Sequence, residues 1–277
     1  MGYETADVID KAVVLARGLG TRMRRAAQDA VIDENQAVAA DAGMKAMIPV
    51  GRPFLDYVLS ALADAGFTDA CLVIGPEHDT VRDYYTRQVT PTRIRVHFAI
   101  QELPLGTANA VAAAESFAAR DQFLVINSDN YYPVSVFDAV RRLGHTGLAG
   151  FNRAALVRDG NVDDARVAKY AVLDVDAGGM LCGIIEKPDA DTWSRVGPDA
   201  LISMNCWRFG PVIFEAARRI ERSPRGEFEL ADAVKYAMTR LGAAFRVVPV
   251  RAGVLDLSTR GDILSVASRL ERVEVRL

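Results

Sequence analysis

The segment AVVLARGLGTRMRR, residues 12–25, runs from an apolar stretch into a turn built on Gly18 and Gly20, with Arg17, Arg22, Arg24 and Arg25 around it. Residues 12–16 read as a buried strand, because the run is short, apolar and rich in valine. A glycine turn directly after such a strand lies where open α/β sheets bind ligands, beyond the carboxyl ends of their strands. Glycine lets backbone N–H groups approach phosphate oxygens, and a guanidinium grips phosphate through two hydrogen bonds. The same residues also suit a tight strand-to-helix turn with solvated arginines. Two known phosphate motifs are absent. Met23 stands where G-x-G-x-x-G needs its third glycine, and no G-x-x-x-x-G-K-[ST] occurs.

Beyond this turn, strand-like and helix-like runs alternate. Residues 70–75 and 93–100 read as strands, as does the run QFLVINSDN, which ends in polar residues. Between them, Phe54, Leu55, Val58, Leu59 and Leu62 share one helical face, with Gly66 placed to stop the helix. EHDTVRDYYTRQ reads as a polar helix and GTANAVAAAESFAAR as an alanine-rich one. This repetition predicts an α/β fold: a mixed, mostly parallel sheet with helices on both faces. The second half is less regular. Residues 169–188 predict two strands around an Ala-Gly-Gly turn, LISMNCWRF and AAFRVVPV two more, and three helical runs complete it. Residues 26–44, rich in Ala and Asp, fit a helical flap. No linker or internal repeat divides the chain, so residues 1–277 read as a single domain.

Composition excludes several functions. The 277 residues are 50% hydrophobic and 25% charged, with a net charge of −3. No basic field invites nucleic acid or an acidic membrane, so the arginines of the first turn must act locally. Cys71, Cys182 and Cys206 are scattered, as are His78, His97 and His145, and form no disulfide or zinc pattern. The acidic start, MGYETADVIDK, lacks the apolar core of a signal peptide, and no apolar run approaches a membrane span. A reducing cytoplasm is the expected location. The sequence leaves homo-oligomer formation open.

Several ordered segments together resemble the sugar-1-phosphate nucleotidylyltransferase family. LARGLGTRM is similar to its loop L-A-[AG]-G-x-G-T-R-[LM]. KAMIPV (45–50) resembles its K-x-x-x-P, QELPLGTANAV (101–111) its Q-x-x-P-x-G-T-A, NSDNYY (127–132) its G-D-N, and EKP (186–188) its E-K-P. Asn205 and Asp256 fall where the family has a later Asn and Asp. The resemblance covers nearly the whole chain. It implies a Rossmann-like fold, with residues from about 11 to 150 binding nucleotide and those from about 151 to 277 forming a less regular sugar-phosphate lobe. It also implies the reaction: a nucleoside triphosphate and a sugar 1-phosphate give a nucleotide sugar and pyrophosphate.

Such chemistry brings anions together, so positioning and charge neutralisation dominate. By resemblance, Leu15, Ala16, Gly18, Gly20 and Thr21 belong to the nucleotide site, and Arg22 grips the triphosphate. Lys45 contacts the reacting phosphates. Gln101, Gly106 and Thr107 lie at the base. Asp129 and Asp256 hold Mg²⁺, Lys187 the sugar phosphate, and Glu186, Asn205 and Tyr170 the sugar. Plainer roles exist: Asp129 as a cap for a helix near Pro133, Asp256 as a turn residue, and EFELADA (227–233) as a structural helix start with Glu227 near its N-terminus.

Departures from the family pattern concern the sugar end more than the phosphates. Arg17 replaces a small residue and either adds a phosphate contact or points outward. Ala171 follows Tyr170 where glycine is usual, Trp207 brings bulk near the sugar or into the core, and residues 26–44 lengthen the connection to Lys45. A non-catalytic nucleotide-sugar sensor and a transferase for a non-sugar phosphate are the rival functions. An amide such as Gln101 suits the imide edge of a pyrimidine, so UTP or dTTP is the expected nucleotide and glucose 1-phosphate the first sugar to try.

Overall fold

The computed structural model describes residues 8–25 and 32–277. The remaining residues, 1–7 and 26–31, lie outside the described part, and with them most of the N-terminal segment and part of the 26–44 stretch. Eleven strands occur in the described residues: β1 (Lys11–Leu15), β2 (Asp69–Ile74), β3 (Arg95–Ile100), β4 (Phe123–Asn127), β5 (Asn130–Tyr131), β6 (Gly147–Asn152), β7 (Val172–Val175), β8 (Leu181–Ile185), β9 (Leu201–Phe209), β10 (Arg246–Val250) and β11 (Leu255–Asp256). The main sheet runs β10-β6-β9-β4-β1-β2-β3, with β7 and β8 added beside β9. Neighbours β4, β1, β2 and β3 are parallel, as are β6 and β10. β9 runs antiparallel to β4 and β6. A separate antiparallel ribbon joins β5 to β11.

Burial follows from the pleat. Ala12 and Val14 of β1 face one side of the sheet and Val13 the other, and β2 and β4 alternate in the same way. Strands apolar on both faces need cover on both. One core packs the sheet against helices Phe54–Asp64, Val134–Arg141 and Asp262–Leu270. The other packs it against helices Thr107–Ala113, Val212–Arg219 and Leu230–Leu241. The alanine-rich run expected as one helix breaks at Ala114 into Thr107–Ala113 and Glu115–Ala118. The polar helix likewise has two parts, Asp79–Asp83 and a wider turn at Tyr84–Gln88. Trp207 is core: its ring stacks 5.2 Å from Phe209 and meets Phe245 edge-on. No described helix is long and apolar enough to cross a membrane.

The turn after β1 is locked by backbone contact. Glu34–Ala42 forms a helix whose N-cap Asp33 and Gln36 exchange hydrogen bonds as a capping box. Its C-cap, Gly43, has φ +73° and lies against Gly20, φ +60°. A Cβ on Gly20 would stand 2.4 Å from the Gly43 carbonyl oxygen, and one on Gly43 2.7 Å from that of Leu19. Arg24 donates to the Ala42 carbonyl at 2.9 Å. Arg260 donates to the Met23 carbonyl at 2.9 Å and pairs with Asp41, tying the chain's far end to the same turn. Gly18 differs, because an added Cβ there meets nothing within 4 Å.

The two glycines should therefore respond differently to a methyl group. Gly20→Ala is expected to lose about 2 kcal/mol or more in urea unfolding, from both its left-handed backbone and the collision with Gly43. Gly18→Ala should stay within about 0.5 kcal/mol of the parent. Equal stabilities for the two variants would contradict this packing.

Candidate active site

A cavity of about 500 Å³ opens at the carboxyl ends of the parallel strands. Leu15 and Ala16 reach it from β1, Gln101 from just beyond β3, and Asn127 to Asn130 from the end of β4. Gly18, Gly20, Thr21, Arg22 and Lys45 line the same space. Crossovers put every parallel strand's carboxyl end on one edge, so residues distant in sequence meet there. Arg22 is exposed, and among the described residues it makes no hydrogen bond or ion pair through its side chain. It is thus a cation free to meet an anion.

The β5–β11 ribbon brings the two aspartates together. Asp256 pairs with Asn130, the residue after Asp129, and Leu257 N–H donates to the Asp129 carbonyl at 2.9 Å. Lys45 Nζ lies 2.7 Å from Asp129 Oδ2. Asp256 Oδ2 accepts from Arg166 at 2.9 Å and Tyr170 at 2.7 Å, and its Oδ1 from Ser258 at 2.7 Å. Burial, followed by the negative charge of Asp129, raises the Asp256 pKa above the ordinary carboxylate range. Burial and the Asp256 charge likewise raise that of Tyr170. Helix Val134–Arg141 begins at Pro133 without a side-chain cap, so Asp129 is not its cap. The turn-stabilising aspartate of the last motif is Asp262, which accepts the Ser258 and Thr259 N–H groups, and not Asp256.

Gln101 is buried. Its Nε2 donates to the Gly106 carbonyl at 3.0 Å and to Asn109 Oδ1 at 2.8 Å. Gly106 has φ +112°, and a Cβ on it would collide with the Phe228 backbone at 2.6 Å. Thr107 Oγ1 accepts the Leu230 N–H at 2.9 Å. Gly106 and Thr107 line the cavity but are also stitched to the start of helix Leu230–Leu241. Glu227, expected to be structural, lines the cavity.

The expected sugar residues divide. Asn205, Tyr170 and Ser203 line the cavity. Asn205 reaches it through a bulge: Leu148 pairs with Trp207 but Gly150 with Ser203, so β9 carries extra residues there, and Asn205 adopts φ +56°. Glu186 and Lys187 are not in the cavity lining. Lys187 is exposed, with φ +48°, just beyond β8. Glu186 is also exposed, yet partial desolvation of its carboxylate and then the negative charge of Glu229 raise its pKa. Ala171 does not line the cavity, and its carbonyl accepts the Ser203 N–H at 2.9 Å. Arg17 does not point outward: it is buried, and its guanidinium bonds Glu77 and the Gln101 carbonyl. Arg166 and Ser258, which no sequence motif singled out, contact Asp256 directly.

Described residues contain no group of three or more His, Cys, Asp or Glu placed to hold a metal ion. Asp129 and Asp256 fit a different mode. Mg²⁺ is commonly held by one or two carboxylates, with substrate phosphates and water completing the shell. Two carboxylates brought together in one cavity of about 500 Å³ are a donor set of that kind.

Comparison with known proteins identifies the family. The nucleotidyl transferase family model matches residues 36–271. The chain is 30% identical over 270 residues to a glucose-1-phosphate thymidylyltransferase of Streptomyces antibioticus, covering 96% of this chain and 68% of that one. It is 26% identical over 262 residues to a UTP–glucose-1-phosphate uridylyltransferase of Haloferax volcanii, covering 94% and 96%. The fold is similar to that of a UDP-glucose pyrophosphorylase solved with UDP-glucose, with a TM-score of 0.71 at 18% identity over 96% of this chain and 100% of the other. Sequence and fold together place the chain in the nucleotidyl transferase family.

Proposed function

We propose that this protein transfers a nucleoside monophosphate from UTP or dTTP to a sugar 1-phosphate, with glucose 1-phosphate as first candidate, in a Mg²⁺-dependent reaction. One observation carries the reading: a free guanidinium, Arg22, and the Lys45–Asp129–Asp256 group share one cavity at the carboxyl ends of the parallel strands. The relatives' names support the substrates, and none reported favours a binding-only role. A sugar phosphate oxygen attacks the α-phosphorus, and the bond from that phosphorus to the β-phosphate bridging oxygen breaks. Pyrophosphate leaves with that bond's electron pair.

Each side chain has a defined task. Gly18, with open space in front of it, lets the triphosphate approach the backbone. Arg22 balances charge at the departing end, and Lys45 at the reacting phosphates. Gln101 and the turn at Gly106 read the base. Asn205, presented by its bulge, and Tyr170 orient the sugar. Asp129 and Asp256 would hold Mg²⁺, which when bound offsets negative charge on the phosphates. The nucleotide is assigned to residues from about 11 to 150 and the sugar phosphate to those from about 151 to 277. Lys187 remains a candidate for the sugar phosphate from outside the cavity lining. A reducing cytoplasm suits the free thiols of Cys71, Cys182 and Cys206.

Asp129→Asn and Asp256→Asn should each lower Mg²⁺-dependent pyrophosphate release roughly a thousandfold while circular dichroism stays unchanged. Near-normal turnover by either folded variant would exclude a shared ion. Arg22→Ala should raise KM for the nucleoside triphosphate about tenfold or more, and Asn205→Ala that for the sugar phosphate. The same pattern from both variants would contradict the division of the cavity. With the four ribonucleotides and dTTP competing at equal concentration, UTP or dTTP should be consumed first. Preferential use of ATP or GTP would overturn the pyrimidine assignment and leave the phosphate site standing.

A further inference from the structure

Arg17, Gly75 and Gln101 form a transverse row across three strand ends. Leu15 of β1 pairs with Val73 of β2, and Ile74 of β2 with Ile100 of β3. Continuing those registers sets Arg17 beside Gly75 and Gly75 beside Gln101. Neighbouring strands lie about 4.8 Å apart, so the first and third are separated by about twice that distance. The Arg17 side chain spans the gap. One terminal nitrogen donates to the Gln101 carbonyl. Nε and the other terminal nitrogen donate to the two Glu77 carboxylate oxygens at 3.3 and 3.2 Å.

The crossing depends on a missing side chain. A Cβ on Gly75 would lie 2.5 Å from Arg17 Nε and 2.3 Å from Glu77 Oε1. Gly75 shows no positive φ, so its absent Cβ serves this passage and not a turn. The Gln101 N–H is held as well, donating to the Ile74 carbonyl at 2.9 Å. Both backbone polar groups of Gln101 are therefore fixed, and its amide is aimed by Gly106 and Asn109.

We infer that Arg17 is a positioning residue for base recognition: it clamps the Gln101 backbone across β2 and so sets the amide that meets the base. The inference rests on the proposed nucleotide site. Without Arg17 the buried Gln101 carbonyl loses its donor, and the end of β3 is free to shift. Lysine is no substitute, because a single ammonium cannot serve Glu77 and the Gln101 carbonyl with the forked geometry of a guanidinium. A purely structural staple would show the same contacts, so the decisive readout is base selectivity.

The experiment compares parent, Arg17→Ala, Arg17→Lys, Gly75→Ala and the Arg17→Ala/Gly75→Ala double variant. Equilibrium binding of UTP, dTTP, ATP and GTP, KM for both substrates and melting temperature are measured for each. Arg17→Ala should weaken the favoured nucleotide about tenfold, the change expected for one lost hydrogen bond, and lower its selectivity over the other bases equally. KM for the sugar phosphate should not move. Gly75→Ala should show the same loss, add nothing once Arg17 is gone, and Arg17→Lys should not restore selectivity. A lower melting temperature with selectivity unchanged would overturn the inference, as would additive effects in the double variant. If the parent itself binds no nucleoside triphosphate, the proposed function falls and this inference with it, a result visible without any variant.

Discussion

Parallel pairing of β1 with both β2 and β4 fixes where this chain can meet a ligand. Three neighbouring strands then end on one edge, and every segment leaving that edge must cross the same small area. The glycine turn, the segment after β3 and the SDN segment after β4 are separate in sequence and adjacent in space for this reason and because β3 in turn pairs parallel with β2. The edge is also where backbone groups leave the ladder, which makes N–H donors available to an anion. The remaining architecture serves this edge. The ribbon of β5 and β11 closes it from one side, and the helix starting at Leu230 supports it from the other.

Electrostatics at the edge are balanced without being satisfied. Asp129 has Lys45, and Asp256 has Arg166 and Tyr170, yet burial, and after it the negative charge of Asp129, still raises the Asp256 pKa. A buried carboxylate is tolerable only with such partners. The arrangement keeps both negative charges in place where a further cation would relieve them. Arg22 stands apart, without a partner among the described residues. Charge that is unpaired in the protein alone is charge available to a triphosphate.

Most of the sheet was legible because its strands are apolar on both faces and its helices carry one apolar stripe, patterns that a single sequence displays. Strands β5, β6 and β11 were not read as strands. β5 and β11 have two residues each, too few for any period, and the small residues of GLAGFN hide β6. The cavity-lining motifs were visible as segments, but their tasks were not. Gly18 and Gly20 look equivalent in sequence, yet one faces open space and the other a glycine backbone. Arg166 lies in a short polar helix, Asp164–Val167, with nothing local to mark it, because its meaning comes from Asp256 across the fold. Lys187 shows the converse: a strong local motif whose side chain stands outside the cavity lining.

The arginines of the opening segment show how the fold divides one local charge. Arg17 is buried and spent across the strand ends. Arg24 is turned back to the Ala42 carbonyl, at the negative end of the helix Glu34–Ala42. Arg22 is exposed, lines the cavity and keeps its guanidinium uncommitted among the described residues, on a turn where Gly20 and Gly43 are in direct backbone contact. A rigid turn matters because a backbone that is already fixed loses less freedom on binding an anion than one that must first be ordered. The positive charge of this segment is therefore only partly a ligand-binding charge. The rest secures the geometry in which the remaining part can act.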